Sequence, residues 1–193
     1  MKEDTIEIVF DQEGLDRYLK HYFKINPRCR KIPIEKPMVR RLNQMLVITN
    51  RMVQNGHKQN YKKYAEYIVT EQGYNMVGIT SCDMEIHFTF PTKIRHDLDN
   101  YIGGCKEVMD AYSSCGLIID DDFLHVKSMK ATASYEKGVT KMVFTFKNCK
   151  FDLEELAIVQ EKDRITKLKK EATMEKNKAL KKAKISKTKY KRK

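Results

Sequence analysis

No CxxC pair occurs in this sequence. Its five cysteines, Cys29, Cys82, Cys105, Cys115 and Cys149, are odd in number and widely spaced. That pattern argues against a disulfide framework and against a zinc site, and it suits a reducing cytoplasm. The opening MKEDTIEIVF lacks the charged-then-apolar order of a secretory signal. No apolar run approaches the roughly 20 residues a bilayer-spanning helix needs. These absences predict a soluble intracellular protein with no membrane segment.

Cations are present in excess. The 193 residues carry 38 Lys and Arg against 26 Asp and Glu, a net charge of +12. The surplus is uneven, with 15 basic and 7 acidic residues in 152–193, leaving 23 against 19 before it. This length suits one well-buried domain with an appendage, so the expected division is a domain over 1–151 and a basic extension over 152–193. From Lys176 to Lys193 there are ten Lys or Arg and no acid, a block that is either disordered or a single exposed helix.

Hydrophobic periodicity orders the rest. Thr5 to Phe10 alternates as a short strand, and the segment from there to about Lys36, with Pro27, Pro33, Arg28, Arg30 and Lys31, reads as a mobile basic loop. Val39, Leu42, Met45, Leu46, Thr49, Met52 and Val53 recur every three or four positions, predicting a helix from Pro37 to about Asn55-Gly56. A second helix is expected over Asn60–Thr70. Cys82, Met84, Ile86, Phe88 and Phe90 alternate with polar residues, the period of a strand with one buried face. A helix over roughly Gly104–Ser114 follows, then strands near Val126–Tyr135 and Thr140–Lys147 joined by a tight turn at Lys137-Gly138. The order βααβαββ implies an α/β (α+β) fold, a small mixed sheet packed by helices.

Chemistry concentrates between Arg95 and Asp122. Asp97 and Asp99 alternate, so an extended segment points both at one ion. Asp120, Asp121 and Asp122 come after one helix and a turn at Gly116, a route expected to return the chain to the same end of the sheet. Hard oxygen donors without nearby His or Cys favour Mg²⁺ or Mn²⁺, which takes a few carboxylates and completes its shell with water and phosphate. On a basic protein this points to phosphodiester hydrolysis. An EF-hand is excluded, because the sixth loop position counted from Asp97 is Ile102 where glycine is required. The plainer alternative is that Asp99 or Asn100 caps a helix and that Asp120–Asp122 form a solvated turn.

The run Arg95-x-Asp97-Leu98-Asp99-Asn100, then Lys106-x-x-x-Asp110-Ala111, then Gly116 and a few apolar residues before Asp120-Asp121, resembles the RusA family of Holliday junction resolvases. The likeness is specific within residues 95–122 and looser over 79–147. It implies a homodimeric, Mg²⁺-dependent endonuclease of bacterial or phage cytoplasm that nicks four-way DNA junctions symmetrically in recombination and repair. It also implies Asp97, Asp99 and Asp121 as metal ligands. Asp120 and Asp122 are either supporting acids or incidental, and Asp122, like His96, stands where the family more often has another residue. The family's catalytic lysine falls on Gly103 when counted from one side and on Lys106 from the other. An insertion at Gly103-Gly104, where glycines let a turn lengthen before the helix starts, reconciles the counts in favour of Lys106. Otherwise Lys106 is a surface lysine paired with Asp110. Lys93, Arg95, Arg28, Arg30 and Lys31, with Arg40, Arg41, Lys62 and Lys63, are candidate DNA-phosphate contacts. Two alternatives share the composition: a nuclease of flaps or forks, and a DNA-binding protein without catalysis.

Overall fold

Strand β1 (Ile6–Phe10) opens the chain in the computed structural model, which describes residues 5–190, with side chains described through residue 178. Ile6, Ile8 and Phe10 turn inward. Helix α1 (Gln12–Ile25) follows at once, its first turn closed by Asp11, whose carboxylate accepts the Gly14 N–H at 2.8 Å. Leu15 and Tyr18 are buried on one stripe, with Leu19 and Tyr22 packed beside them. The segment read as a mobile loop is therefore helical through Ile25. A cap followed by apolar residues at i, i+3, i+4 and i+7 outweighs the basic loop composition, which describes only residues 26–36.

The two helices expected between Pro37 and Thr70 are distributed differently. Helix α2 spans only Leu42–Leu46, and α3 runs from Arg51 to Glu71, with Asn50 as its N-cap accepting from the Met52 and Val53 N–H groups at 2.9 and 3.4 Å. Of the periodic residues, Leu46, Met52 and Val53 are exposed while Val39 and Met45 are buried, so only part of that stripe meets the core. Gly56 lies inside α3 and does not end it; one helical glycine costs about 1 kcal/mol, less than the burial of Tyr64, Ala65, Ile68 and Val69 returns.

Strand β2 (Ile79–Phe90) is the sheet's longest. It leads through α4 (Leu98–Gly104) and α5 (Lys106–Ser114) to β3 (Val126–Tyr135), then to β4 (Lys141–Phe151). The four strands form one mixed sheet, ordered β1-β4-β2-β3, antiparallel except for the β2–β3 pair. The fold is mixed α/β as its periodicities predict. The turn at Lys137-Gly138 closes no hairpin, however. β3 and β4 flank β2 on opposite sides, and the connection crosses its end, where the Gly138 N–H donates to Pro91 O at 3.3 Å.

Helices cover one face of the sheet. Tyr112 of α5 stands edge-on to Phe144 and Phe146 at 5.2 and 5.4 Å, and Tyr64 of α3 edge-on to Phe10 at 5.5 Å. The opposite face is polar, as an antiparallel sheet with one wet side allows. Glu85 pairs with Lys147 at 2.7 Å, and His87 lies between Thr132 and Ser134 at 2.8 and 2.9 Å.

After Leu153 the chain divides into a second compact unit. Helix α6 (Leu153–Tyr190) begins with Glu154 and Glu155 in its first turn, where acids complement the helix dipole. The basic extension is thus helical through Tyr190, and residues 191–193 lie outside the described part.

Candidate metal and nucleic-acid site

Phe90 ends β2, and Pro91 diverts the chain away from the sheet. Asp97 is the N-cap residue of α4, with extended backbone (φ −89°, ψ 109°), yet its carboxylate accepts no capping hydrogen bond. Asp99 occupies the first helical turn. Both carboxylates are exposed, and neither has a hydrogen bond or ion pair among the described residues. Neither Asp99 nor Asn100 is the cap, and the acid in the cap position leaves its oxygens free.

Gly103 and Gly104 are helical, which corrects the expectation that they lengthen a turn ahead of the helix. A Cβ on Gly104 would collide with the Arg40 carbonyl oxygen, and one on Gly103 would lie 2.9 Å from Leu42 Cδ2. The pair of glycines serves close approach, letting residues 39–42 press against α4. Cys105 then ends α4 and starts α5, so the expected helix is α5 and α4 is a further helix ahead of it.

Lys106, first in α5, places Nζ 3.3 Å from Asp110 Oδ1 and 3.3 Å from Asp121 Oδ2. Attraction to Asp110 first, and to Asp121 second, raises the lysine's pKa. Lys106 is therefore held as a cation. Asp120 accepts the Asp121 N–H at 2.8 Å. Asp122 Oδ1 accepts the N–H groups of Leu124 and His125 at 2.9 and 3.1 Å and meets His125 Nδ1 at 2.6 Å. The His125 hydrogen bond foremost holds its carboxyl below the usual range. Asp122 is thus engaged in ordering the turn into β3.

The two acidic segments leave the sheet at opposite ends of β2. Strands β2 and β3 are parallel, with Val126 opposite Cys82 and Tyr135 opposite Phe90. Strands joined by a crossover connection start at the same end. The loop of Asp120–Asp122 therefore precedes β3 where β2 begins, while Asp97 and Asp99 follow the point where β2 ends. Among the described residues no three His, Cys, Asp or Glu side chains gather as a ligand set for a metal ion. Asp97 and Asp99 stand at the cap and in the first turn of a helix, which corrects the expectation of an extended segment that points both at one ion, since residues two apart on a helix do not face each other. The donor chemistry of each, an unengaged hard oxygen, fits Mg²⁺, which is commonly held by one or two carboxylates with water and phosphate completing the shell. Asp121 is paired with Lys106.

Arg95 and His96, which precede Asp97 in the chain, line a cleft of about 1040 Å³ that the sequence could not show; Asp97 and Asp99 are not in its lining. Residues 33–47 form one side, and the segment Phe90–His96 with Tyr101 forms the other. Lys36, Arg40, Arg41 and Arg95 line it against one acid, Glu35. None of the four cations is in an ion pair among the described residues. The His96 ring stacks on Phe90, with centroids 3.9 Å apart and planes 16° from parallel, and its Nδ1 lies 3.4 Å from the Tyr101 hydroxyl. His96 Nε2 is buried and has no partner. Of the cations singled out in the sequence, Arg95, Arg40 and Arg41 meet in this cleft. Lys93 stands 5.2 Å over the Tyr135 ring, on the side of a second, smaller hollow. Arg28, Arg30 and Lys31 are outside the cleft, in the loop after α1.

No model of a protein family matches the sequence, and no curated protein matches it.

Proposed function

We propose that the chain is a Mg²⁺-dependent endonuclease of branched DNA, acting as a homodimer on four-way junctions in the manner its resemblance to the RusA family implies. One observation carries the reading. Asp97 holds a helix-capping position without capping, and Asp99 is equally unengaged, just after Arg95, one of the four unpaired cations that line the cleft. A carboxylate placed at an N-cap normally gains about 1 kcal/mol by accepting backbone N–H groups. Forgoing that bond leaves its oxygens free for another acceptor role. Asp97 and Asp99 would hold the ion, and Mn²⁺ has the same hard-oxygen preference. When bound, the ion would supply a lowered pKa for water and charge stabilisation for the leaving oxygen. Lys36, Arg40, Arg41 and Arg95 would position the DNA backbone by its phosphates, which suits recognition by shape. Lys106, kept protonated between Asp110 and Asp121, would serve as a positive charge near the backbone. The five free thiols suit the reducing cytoplasm expected for it.

A second reading, a DNA-binding protein without catalysis, is favoured by the Lys106–Asp121 ion pair, which engages the third acid. A cleavage assay with Mg²⁺ or EDTA on a mobile four-way junction, a flap, a fork and a linear duplex separates the two. The nuclease reading expects Mg²⁺-dependent nicks in the branched substrates. Tight junction binding without any nick in Mg²⁺ or Mn²⁺ would leave only the second.

A further inference from the structure

We propose that the cleft between residues 33–47 and the Phe90–His96 segment takes an unpaired nucleotide, stacking its base at the aromatic wall while the rim cations hold its phosphates. The proposal rests on the reading of this protein as one that binds DNA, though not on its cutting DNA.

The composition of the cleft carries the inference. A groove that only follows a duplex backbone needs charge on a shallow surface. This one is a cavity of about 1040 Å³, large enough for a nucleotide and at the upper end of small-ligand sites. Its interior is largely apolar, with Ile34, Met38 and Val39 buried in its wall. The aromatic wall is ordered in advance. His96 lies parallel to Phe90, and Tyr101 packs edge-on against Phe90 with ring centroids 5.0 Å apart. Tyr61 is fixed by donating to Met38 O at 3.0 Å. Aromatic platforms interleaved with unpaired cations are the arrangement that binds single-stranded nucleic acid without regard to sequence, because every base presents a π-face.

An unpaired base reaches such a cavity readily and a paired one does not, since extrusion from a duplex carries an unstacking cost. The cleft therefore narrows the substrate class to branched DNA that exposes unpaired nucleotides, such as forks, flaps and open-centred mobile junctions. Fully paired DNA is disfavoured.

The test uses the full-length protein in EDTA, so that neither a metal nor cleavage enters. The probes are thymidine 5′-monophosphate, 2-deoxyribose 5-phosphate, and a fork whose single-stranded arm carries one 2-aminopurine. The nucleotide should bind at least about tenfold more tightly than the sugar phosphate, the contribution expected of one stacked base. The 2-aminopurine emission should fall on binding, and Arg41→Ala and Arg95→Ala should weaken binding of the nucleotide and the sugar phosphate alike. His96→Ala should abolish the base-dependent difference, and circular dichroism will report whether that variant is folded. Should it not fold, the comparison of nucleotide with sugar phosphate on the natural protein decides alone. Equal affinity for nucleotide and sugar phosphate, or unchanged 2-aminopurine emission on a bound fork, overturns the proposal. A protein that nicks branched DNA yet shows equal affinities refutes the base site and spares the nuclease; one that shows the base preference and never nicks does the reverse.

Discussion

Alanine at Gly104 should destabilise the protein, alanine at Gly103 should change it little, and alanine at Gly56 should stabilise it. All three glycines are helical, so each substitution gains the same intrinsic helix propensity, about 0.5–1 kcal/mol. What differs is the space a methyl group meets. At Gly104 the new Cβ runs into the carbonyl oxygen of Arg40 and comes within 3.1 Å of its carbonyl carbon and 3.4 Å of Val39 Cγ2. Two of those atoms are backbone and cannot swing aside, so residues 39–41 must move as a segment. Forced overpacking costs about 1–3 kcal/mol, and here the upper end applies because Val39 is itself buried. At Gly103 the obstacle is the half-exposed Leu42 side chain, 2.9 Å from the new atom at Cδ2 and 3.2 Å at Cβ; a rotamer change moves Cδ2 away, and a shift of a few tenths of an ångström accommodates Cβ. At Gly56 nothing lies within 4 Å, and the full propensity gain survives. Urea denaturation at constant m-value measures the series, and thermal midpoints should move by about 2–4 °C per kcal/mol for a chain of this size. A Gly104→Ala variant as stable as the natural protein would refute the close-packing account of Gly103-Gly104, as would a Gly56→Ala variant that loses stability. Because Gly104 fixes the backbone of Arg40, its alanine variant should also bind branched DNA more weakly.

Lys106→Ala removes two exposed ion pairs, so stability should change by less than about 1 kcal/mol, while nicking should fall sharply; unchanged nicking would make Lys106 a surface residue and direct attention to Lys127 and Lys130. His57 is held below its usual pKa of 6.5 by burial first and by Arg40 second. The unfolded chain therefore binds more protons between the two values, and stability should rise with pH up to about 6.5. Nuclear magnetic resonance titration should place the His57 midpoint below 6.5, and Arg40→Ala should raise it. Residues 154–193 carry 15 Lys and Arg against six acids, so their removal should weaken DNA binding most at low salt and leave nicking intact at saturating protein; a deletion that abolishes nicking there would contradict a purely electrostatic role.

Strong periodicity made the sheet legible. The alternation from Cys82 to Phe90 describes β2 because each apolar residue there is buried, from Met84 at 0 % exposed to Phe90 at 5 %. The same reasoning held only in part over residues 39–53, where Val39 and Met45 are buried but the recurring Met52 and Val53 face solvent; periodicity signals a face but not whether anything covers it. It also joined β3 and β4 as a hairpin. Their short connection is compatible with that, and only the pairing of both strands with β2 shows that the chain crosses over. In the site, the extended run expected to align Asp97 with Asp99 is the start of a helix, because the alternation of two acids over three residues does not distinguish a strand from a first helical turn. The position of Asp121 was not readable either, since it depends on the parallel β2–β3 register and on Lys106. The cleft left no local signal at all. It joins residues near 36–41 to residues near 90–96, and the closest trace of that contact in the sequence is the pair of glycines that permits it.

The most direct test of the central claim compares the natural protein with Asp97→Asn and Asp99→Asn on a mobile four-way junction, scoring binding in EDTA and nicking in Mg²⁺. If these two unengaged carboxylates hold the ion, each variant should bind the junction as tightly as the natural protein and lose nicking. Nicking at the natural rate by both variants would contradict the account.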